Sequence, residues 1–417
     1  MVATSSKDVT QHAPQAKKKS GLFGPGLLIS ASFIGPGTVT TATVTGANYG
    51  FALTWTIVFS IVATIILQEM AVRLGLAAKL STGEALRRTF ESPIAKGLMI
   101  TLIVAAIGIG GASYAGGDTT GTALALSSVT GIPLRLMAVI IVVIILGLLL
   151  SGSYKLIERV MTFFVVVLAI IFMITAVITK PDLGAMLSGI FKPTIPEGSL
   201  LSAIALIGTT VVPYNVFLHS NLVMEKWGDE PSDESLRKGR IDNAISISIG
   251  GLITLAILST AAAVMFTQGM EAKSAADLAE PLRPMLGGFA PWALALGLFS
   301  AGLTSALAGP LGAAYAICGV LGWSTDIKDK KFRVIFLTVV IIGGIIAVTG
   351  VNPIQIIVVA QAANGLLLPI VALFLLITMN NRRLLKDATN GWLANLLGAL
   401  IFLVTVVLGG IQLFDLF

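Results

Sequence analysis

The chain holds one cysteine, Cys318, and two histidines, His12 and His219. A lone cysteine excludes a disulfide framework and a thiolate-built metal site, and two distant histidines make a poor basis for an imidazole-built one. Charge is scarce as well: 12% of residues are Asp, Glu, Lys or Arg, against about 25% in an ordinary soluble domain. The residues an intramembrane hydrolase needs are missing too, namely paired acids, a His-Glu-x-x-His helix or a Ser/His pair. An enzyme is therefore not expected.

Apolar sequence fills the space those residues leave. Hydrophobic residues make up 55% of the 417 and the mean hydropathy is +0.94, which describes a protein that crosses the bilayer many times. With about 20 apolar residues per crossing, the chain divides into about eleven helices, at 22–48, 51–77, 95–126, 133–151, 156–179, 198–225, 241–267, 287–320, 333–350, 353–379 and 390–415. Residues 1–20, ending in Lys17-Lys18-Lys19, read as a disordered cytoplasmic tail and not as a cleavable signal. The runs 229–240 and 326–333 read as solvated, mixed-charge connectors.

The net charge of +6 is a topology signal and not a nucleic-acid patch. With the N-terminus inside, only Arg135, Lys180, Lys192, Lys273 and Arg283 of the 27 basic residues fall on the outer side, as the positive-inside rule requires. An odd number of spans then puts the C-terminus outside, in a cell membrane of bacterial type. No obligate protein partner is apparent; the partners expected are the lipid bilayer and a small inorganic ion or small carboxylate.

Two spans carry helix breakers at their centres. Ile34-Gly35-Pro36-Gly37-Thr38 interrupts the first, and Gly208-Thr209-Thr210-Val211-Val212-Pro213-Tyr214-Asn215 the sixth. Lipid cannot satisfy the backbone groups freed at a break, so unwound backbone at mid-membrane depth belongs where it lines a cavity or is buried in protein. Two such spans five apart point to an inverted repeat, the architecture of secondary transporters with a midplane site. The plainer reading is a proline kink in a packed helix.

Gly24-Pro25-Gly26, Phe33-Ile34-Gly35-Pro36-Gly37-Thr38 and Gly46-Ala47-Asn48-Tyr49-Gly50 resemble the first span of the NRAMP family of divalent-metal transporters. Leu67-Gln68-Glu69-Met70-Ala71-Val72-Arg73-Leu74-Gly75 is similar to the end of its second span. Val212-Pro213-Tyr214-Asn215-Val216-Phe217-Leu218-His219-Ser220 is similar to its Met-Pro-His-Asn-x-x-x-His-Ser signature, and Gln361 with Pro369 to its tenth span. The likeness runs from about residue 20 to 415. It implies an all-α LeuT-type fold: one five-helix repeat over 21–179, an inverted copy over 198–379, and an additional helix over 390–417. Substrate would sit at the breaks of helices 1 and 6.

The departures fall on the site itself. Where the family has Asp-Pro-Gly-Asn the chain has Gly35-Pro36-Gly37-Thr38, and where it has Met-Pro-His the chain has Val212-Pro213-Tyr214. In the third span, Tyr114-Ala115-Gly116-Gly117-Asp118 aligns with a segment bearing two acids, of which Asp118 alone remains. Substrate-binding candidates are thus Gly35, Gly37, Thr38, Thr40, Thr209, Val212, Tyr214, Asn215 and Gln361, with no side-chain set for a dehydrated metal. Asp118 is the candidate for a coupling ion, Na⁺ or H⁺, because an acid inside the membrane is a functional-site hypothesis; no other cofactor is expected. With the family's aspartate gone, helix N-termini and hydroxyls at the break favour a small anion. Bicarbonate is the first expectation and a small carboxylate the next; the alternative is a divalent cation, Mg²⁺ or Mn²⁺, held hydrated in a relaxed site. Threonine hydroxyls also commonly bond back to their own helix, Glu69 reads as the ion-pair partner of Arg73, and His219 as a packed side chain.

Overall fold

The computed structural model of the chain describes residues 24–151, 155–229 and 232–414. The expected tail at 1–20 lies outside them. Helices in chain order are α1 (Pro25–Phe33), α2 (Pro36–Tyr49), α3 (Thr54–Leu76), α4 (Thr82–Thr89), α5 (Pro93–Thr130), α6 (Leu134–Ser151), α7 (Lys155–Ile178), α8 (Leu183–Phe191), α9 (Leu200–Thr210), α10 (Pro213–Trp227) and α11 (Ser232–Val264). They continue through α12 (Arg283–Leu286), α13 (Ala290–Leu321), α14 (Lys330–Ala347), α15 (Pro353–Met379), α16 (Arg382–Leu385) and α17 (Trp392–Phe414). Among the described residues, eight helices are long and apolar enough to cross a membrane, or ten if each of two bent pairs is one span. The expected span at 333–350 is α14, whose first turn carries Lys330, Lys331 and Arg333 and shortens its apolar part.

Both expected breaks are present, and both have the same local cause. Proline removes an N–H and pushes the residue before it out of the α region. Accordingly α1 ends at Phe33 with Ile34 as its C-cap, Gly35 is extended at φ −120°, ψ −173°, and Pro36 opens α2. Val212 is likewise extended (φ −80°, ψ 116°) before Pro213 opens α10. The first break bends the chain by 54°. The broken helices sit between two groups of packed helices, α3 and α11 on one side and α5, α13 and α14 on the other, while α15 packs against α5, α9 and α2. Helix α17 leaves apolar side chains such as Leu403 and Val407 exposed.

Three expected connectors contain helix. Residues 82–89 form α4, capped by the Ser81 hydroxyl accepting from Glu84 N–H; α11 begins at Ser232, well before 241, and α14 at Lys330. Their charged turns escaped an apolar-run criterion because they project beyond the apolar core. The expected link at 180–197 holds α8, turned 111° from α7. Gly116 and Gly117 in α5 serve close packing: a β-carbon on Gly117 would meet Ala360 at 2.9 Å, and one on Gly116 would meet Ile346 at 2.9 Å.

Polar ties join the helices around Asp242, Glu69 and Arg73. Asp242 of α11 accepts from Gly24 N–H at 3.1 Å and Gly26 N–H at 2.6 Å, satisfying two N–H groups that the start of α1 leaves without intrahelical partners. Glu69 pairs with Arg73 at 2.8 Å, as expected, and also with Arg240 at 2.8 Å. Arg73 further donates to Asn390 Oδ1 at 2.7 Å and to the carbonyl of Ala388 at 3.1 Å. One arginine thus joins α3 to the segment before α17.

Candidate functional site

The freed backbone at the end of α1 is the hub of a buried polar cluster. The Ser32 carbonyl accepts from Ser305 Oγ of α13 at 2.8 Å and from the Tyr114 hydroxyl of α5 at 3.3 Å. Its side-chain oxygen accepts from Asn215 Nδ2 of α10 at 2.9 Å and donates to the Ile29 carbonyl. Four helices therefore converge on one residue beside the break. The rings of Tyr114 and Tyr214 meet edge to face with centroids 5.6 Å apart.

Asp118 points at the same place. A β-carbon built on Gly35 would lie 3.2 Å from Asp118 Oδ1 and 3.3 Å from Ser305 Oγ. The carboxylate of α5 thus abuts the backbone position at which the aligned family motif carries its own aspartate. This corrects the expectation that losing that aspartate leaves the break free of negative charge. Asp118 is fully buried; the Ser305 hydroxyl and Gly37 N–H lie nearby, yet neither carboxylate oxygen reaches hydrogen-bond geometry with any described residue.

The other sequence candidates divide into committed and uncommitted groups. The Thr38 hydroxyl donates across the break to the Phe33 carbonyl and lies 2.7 Å from Thr209 Oγ1. Its only proton is used on Phe33, so Thr209 donates to it, and neither hydroxyl is free to donate to an anion. Thr210 bonds back to Leu206 at 3.4 Å, whereas Thr40 is buried with no hydrogen-bond partner among the described residues, as are Thr41, Thr43 and Thr45. Back-bonding therefore accounts for Thr210 and not for these four.

Gln361 lies against Gly37, where a β-carbon would collide with its amide, and 3.5 Å from the equivalent position on Gly117. Both of its amide atoms and Asn215 Oδ1 lack partners among the described residues. Val212 is buried at the second break and supplies no heteroatom. His219 is packed as expected, its Nδ1 3.0 Å from Gln68 Oε1, with no link to the cluster at Ser32.

Sequence reasoning missed Ser32 and Ser305. Both look like ordinary serines in apolar helices; a signal for Ser32 lay in its place two residues before the break, but Ser305 offered none. Among the described residues no group of three or more His, Cys, Asp or Glu side chains is placed to hold a metal ion. The cluster instead offers one carboxylate, two amide oxygens, hydroxyls and helix-end carbonyls, a set suited to a hard, partly hydrated cation.

Comparison with known proteins follows the same line. Residues 26–415 match the family described as natural resistance-associated macrophage protein-like. A divalent metal cation transporter MntH of Caldanaerobacter subterraneus subsp. tengcongensis is 25% identical over 96% of the chain and 94% of its own length. The MntH of Yersinia pestis is 26% identical over 98% of both chains. Among solved structures, the manganese transporter of Eremococcus coleocola superposes with a TM-score of 0.72 at 20% identity, over 93% of this chain and 85% of its own. MhsT in complex with L-phenylalanine superposes with a TM-score of 0.60 at 16% identity, over 96% and 100%. The fold is thus the LeuT type that the family resemblance implied.

Proposed function

Since the chain belongs to the natural resistance-associated macrophage protein-like family of membrane transporters, we propose that it carries a divalent metal cation, Mg²⁺ or Mn²⁺, held partly hydrated between the two broken helices. One observation carries this reading: the carboxylate of Asp118 lies against Gly35 at the first break, buried and without a hydrogen-bond partner among the described residues. A buried charge of that kind needs a counter-charge. Asp118 supplies the anionic ligand, with Asn215 Oδ1 and Gln361 Oε1 as neutral ligands and Gly37 admitting the ion close to the backbone. The relatives named as divalent metal cation transporters support a metal substrate. The thioether that would favour softer ions is replaced by Val212, and a single carboxylate leaves the ion most of its water, which suits Mg²⁺ and Mn²⁺.

The bicarbonate expectation finds no support in these relatives, and its physical basis weakens once Asp118 stands at the break. A negative substrate would have to approach an unpaired carboxylate, and the Thr38 and Thr209 hydroxyls meant to bind it are bonded to each other. Influx into proteoliposomes decides the matter: Mn²⁺ and Mg²⁺ entry that is lost in Asp118→Asn supports the metal reading. Bicarbonate entry without metal flux overturns it.

A further inference from the structure

Resting on the metal reading, we infer that one stripe of α2 is a hydrated passage, along which the cation reaches the first break without giving up its water. The stripe is Gly37, Thr41, Thr45 and Asn48. At 3.6 residues per turn these four fall within about 80° of arc and so share one face. That face runs about 17 Å from the break to the exposed Asn48. Gly37 sets its bearing, because a β-carbon there would collide with the amide of Gln361 on α15. Thr38, at its edge, meets Thr209 of α9. The opposite side of the helix is closed: a β-carbon on Gly46 would collide with the Leu258 carbonyl of α11. The stripe therefore looks into the gap between α9 and α15, both of which pack against α2. Ala205 and Ser202 continue the Thr209 face of α9 with small side chains.

The hydroxyls on this stripe differ from those of threonines in the other helices. Thr120, Thr175, Thr254, Thr304 and Thr405 each donate to the carbonyl four residues earlier, which is how a threonine satisfies its own hydroxyl inside a membrane. Thr41 and Thr45 make no such bond; both are fully buried, and neither hydroxyl has a partner among the described residues. Thr40, beside the stripe, and both amide atoms of Gln361, at its inner end, are in the same state. A buried hydroxyl left unpaired costs free energy that a turn of the side chain onto its own helix would recover. These hydroxyls forgo that bond, stand one helical turn apart, and lead from an exposed residue to the cation site. Such oxygens serve water and a hydrated ion as partners. Their neutrality suits passage, since uncharged dipoles hold a cation briefly and leave tight binding to Asp118.

The full chain in proteoliposomes tests this, with Mn²⁺ as the probe. Thr41→Val combined with Thr45→Val keeps the side-chain shape and removes both hydroxyls. Mn²⁺ entry should then fall by about tenfold or more, the equivalent of one hydrogen bond lost at the barrier. The calorimetric Kd for Mn²⁺ should stay within about twofold of the parent's, because Thr41 lies about 9 Å from Gly35 along the chain's helical rise. Thr41→Ser combined with Thr45→Ser keeps both hydroxyls and should restore entry. Unchanged entry in the valine pair overturns the passage and leaves the metal reading intact; so does a fall that the serine pair shares in full, which marks a packing role. Should the valine pair not fold, thiol labelling decides, since the native Cys318 is buried. A charged, water-soluble thiol reagent should modify Thr45→Cys about tenfold faster than Val39→Cys, which lies on the α11 side in line with Gly46, because access governs thiol reactivity. Equal rates overturn the passage. No Mn²⁺ entry in the parent overturns the metal reading, and the labelling, which involves no metal, still tells whether the stripe is wet.

Discussion

Gly35→Asp places a second carboxylate beside Asp118 and tests the site's geometry directly. The β-carbon position of residue 35 is 3.2 Å from Asp118 Oδ1 and 3.3 Å from Ser305 Oγ, so the two neighbours must give by a few tenths of an ångström. Two carboxylates about 4 Å apart repel by about 4 kcal/mol at an effective dielectric near 20, equivalent to about three decades in an equilibrium constant. That repulsion weakens the metal-free protein and is relieved when a divalent cation lies between the acids. In chelator the variant should therefore unfold at a lower temperature than the parent, and Mn²⁺ should raise its Tm by more than it raises the parent's. Calorimetric Kd for Mn²⁺ should fall by at least tenfold, with about three decades as the ceiling. Unchanged stability in chelator together with unchanged Mn²⁺ affinity would show that the two side chains are not neighbours and would refute the reasoning.

Other perturbations separate the remaining contacts. Thr38→Val leaves Thr209 Oγ1 and the Phe33 carbonyl without their buried partner and should cost about 1–3 kcal/mol, read as a drop in Tm. Asp242→Ala strips the acceptor from the Gly24 and Gly26 N–H groups; a loss of about 2 kcal/mol should speed exchange of those two amides by about 30-fold in hydrogen–deuterium measurements. Arg73→Ala, which removes a side chain only 6% exposed, should destabilise by about 3 kcal/mol. Arg240→Ala, on the same Glu69 but half exposed, should cost less than about 1 kcal/mol, and denaturation of the two variants side by side checks the contrast.

The fold was legible because its determinants are local. Pro36 and Pro213 each follow a residue held out of helical geometry and stand in clusters of breakers, unlike Pro310 and Pro369, which lie inside continuous helices, so both breaks could be placed from sequence. The site was legible only in part, because its geometry is set by contacts between helices far apart in the chain. Asp118 stood out as an acid in apolar sequence, yet nothing in residues 93–130 says that it faces Gly35. Ser305 is 273 residues from Ser32, whose carbonyl it holds, and neither residue type distinguishes it from a packing serine. The expectation of an anion followed from counting the acids within each broken helix. Helix α5, the third span, brings Asp118 against the first break from outside both broken helices. Thr38 was rightly identified as a residue of the break, but its bond to Thr209 could not be read from a sequence separation of 171 residues.

The anchoring of that acid has a mechanical consequence. In the family motif that this chain resembles the aspartate is part of the broken helix, whereas here Asp118 sits about two-thirds of the way along the continuous α5, between Pro93 and Thr130. The charge therefore belongs to a helix other than the broken one, and α1 and α2 carry no acid of their own. On the reading proposed above, an ion at Asp118 would be held from α5, and a movement of α1 or α2 would change only the neutral oxygens presented to it.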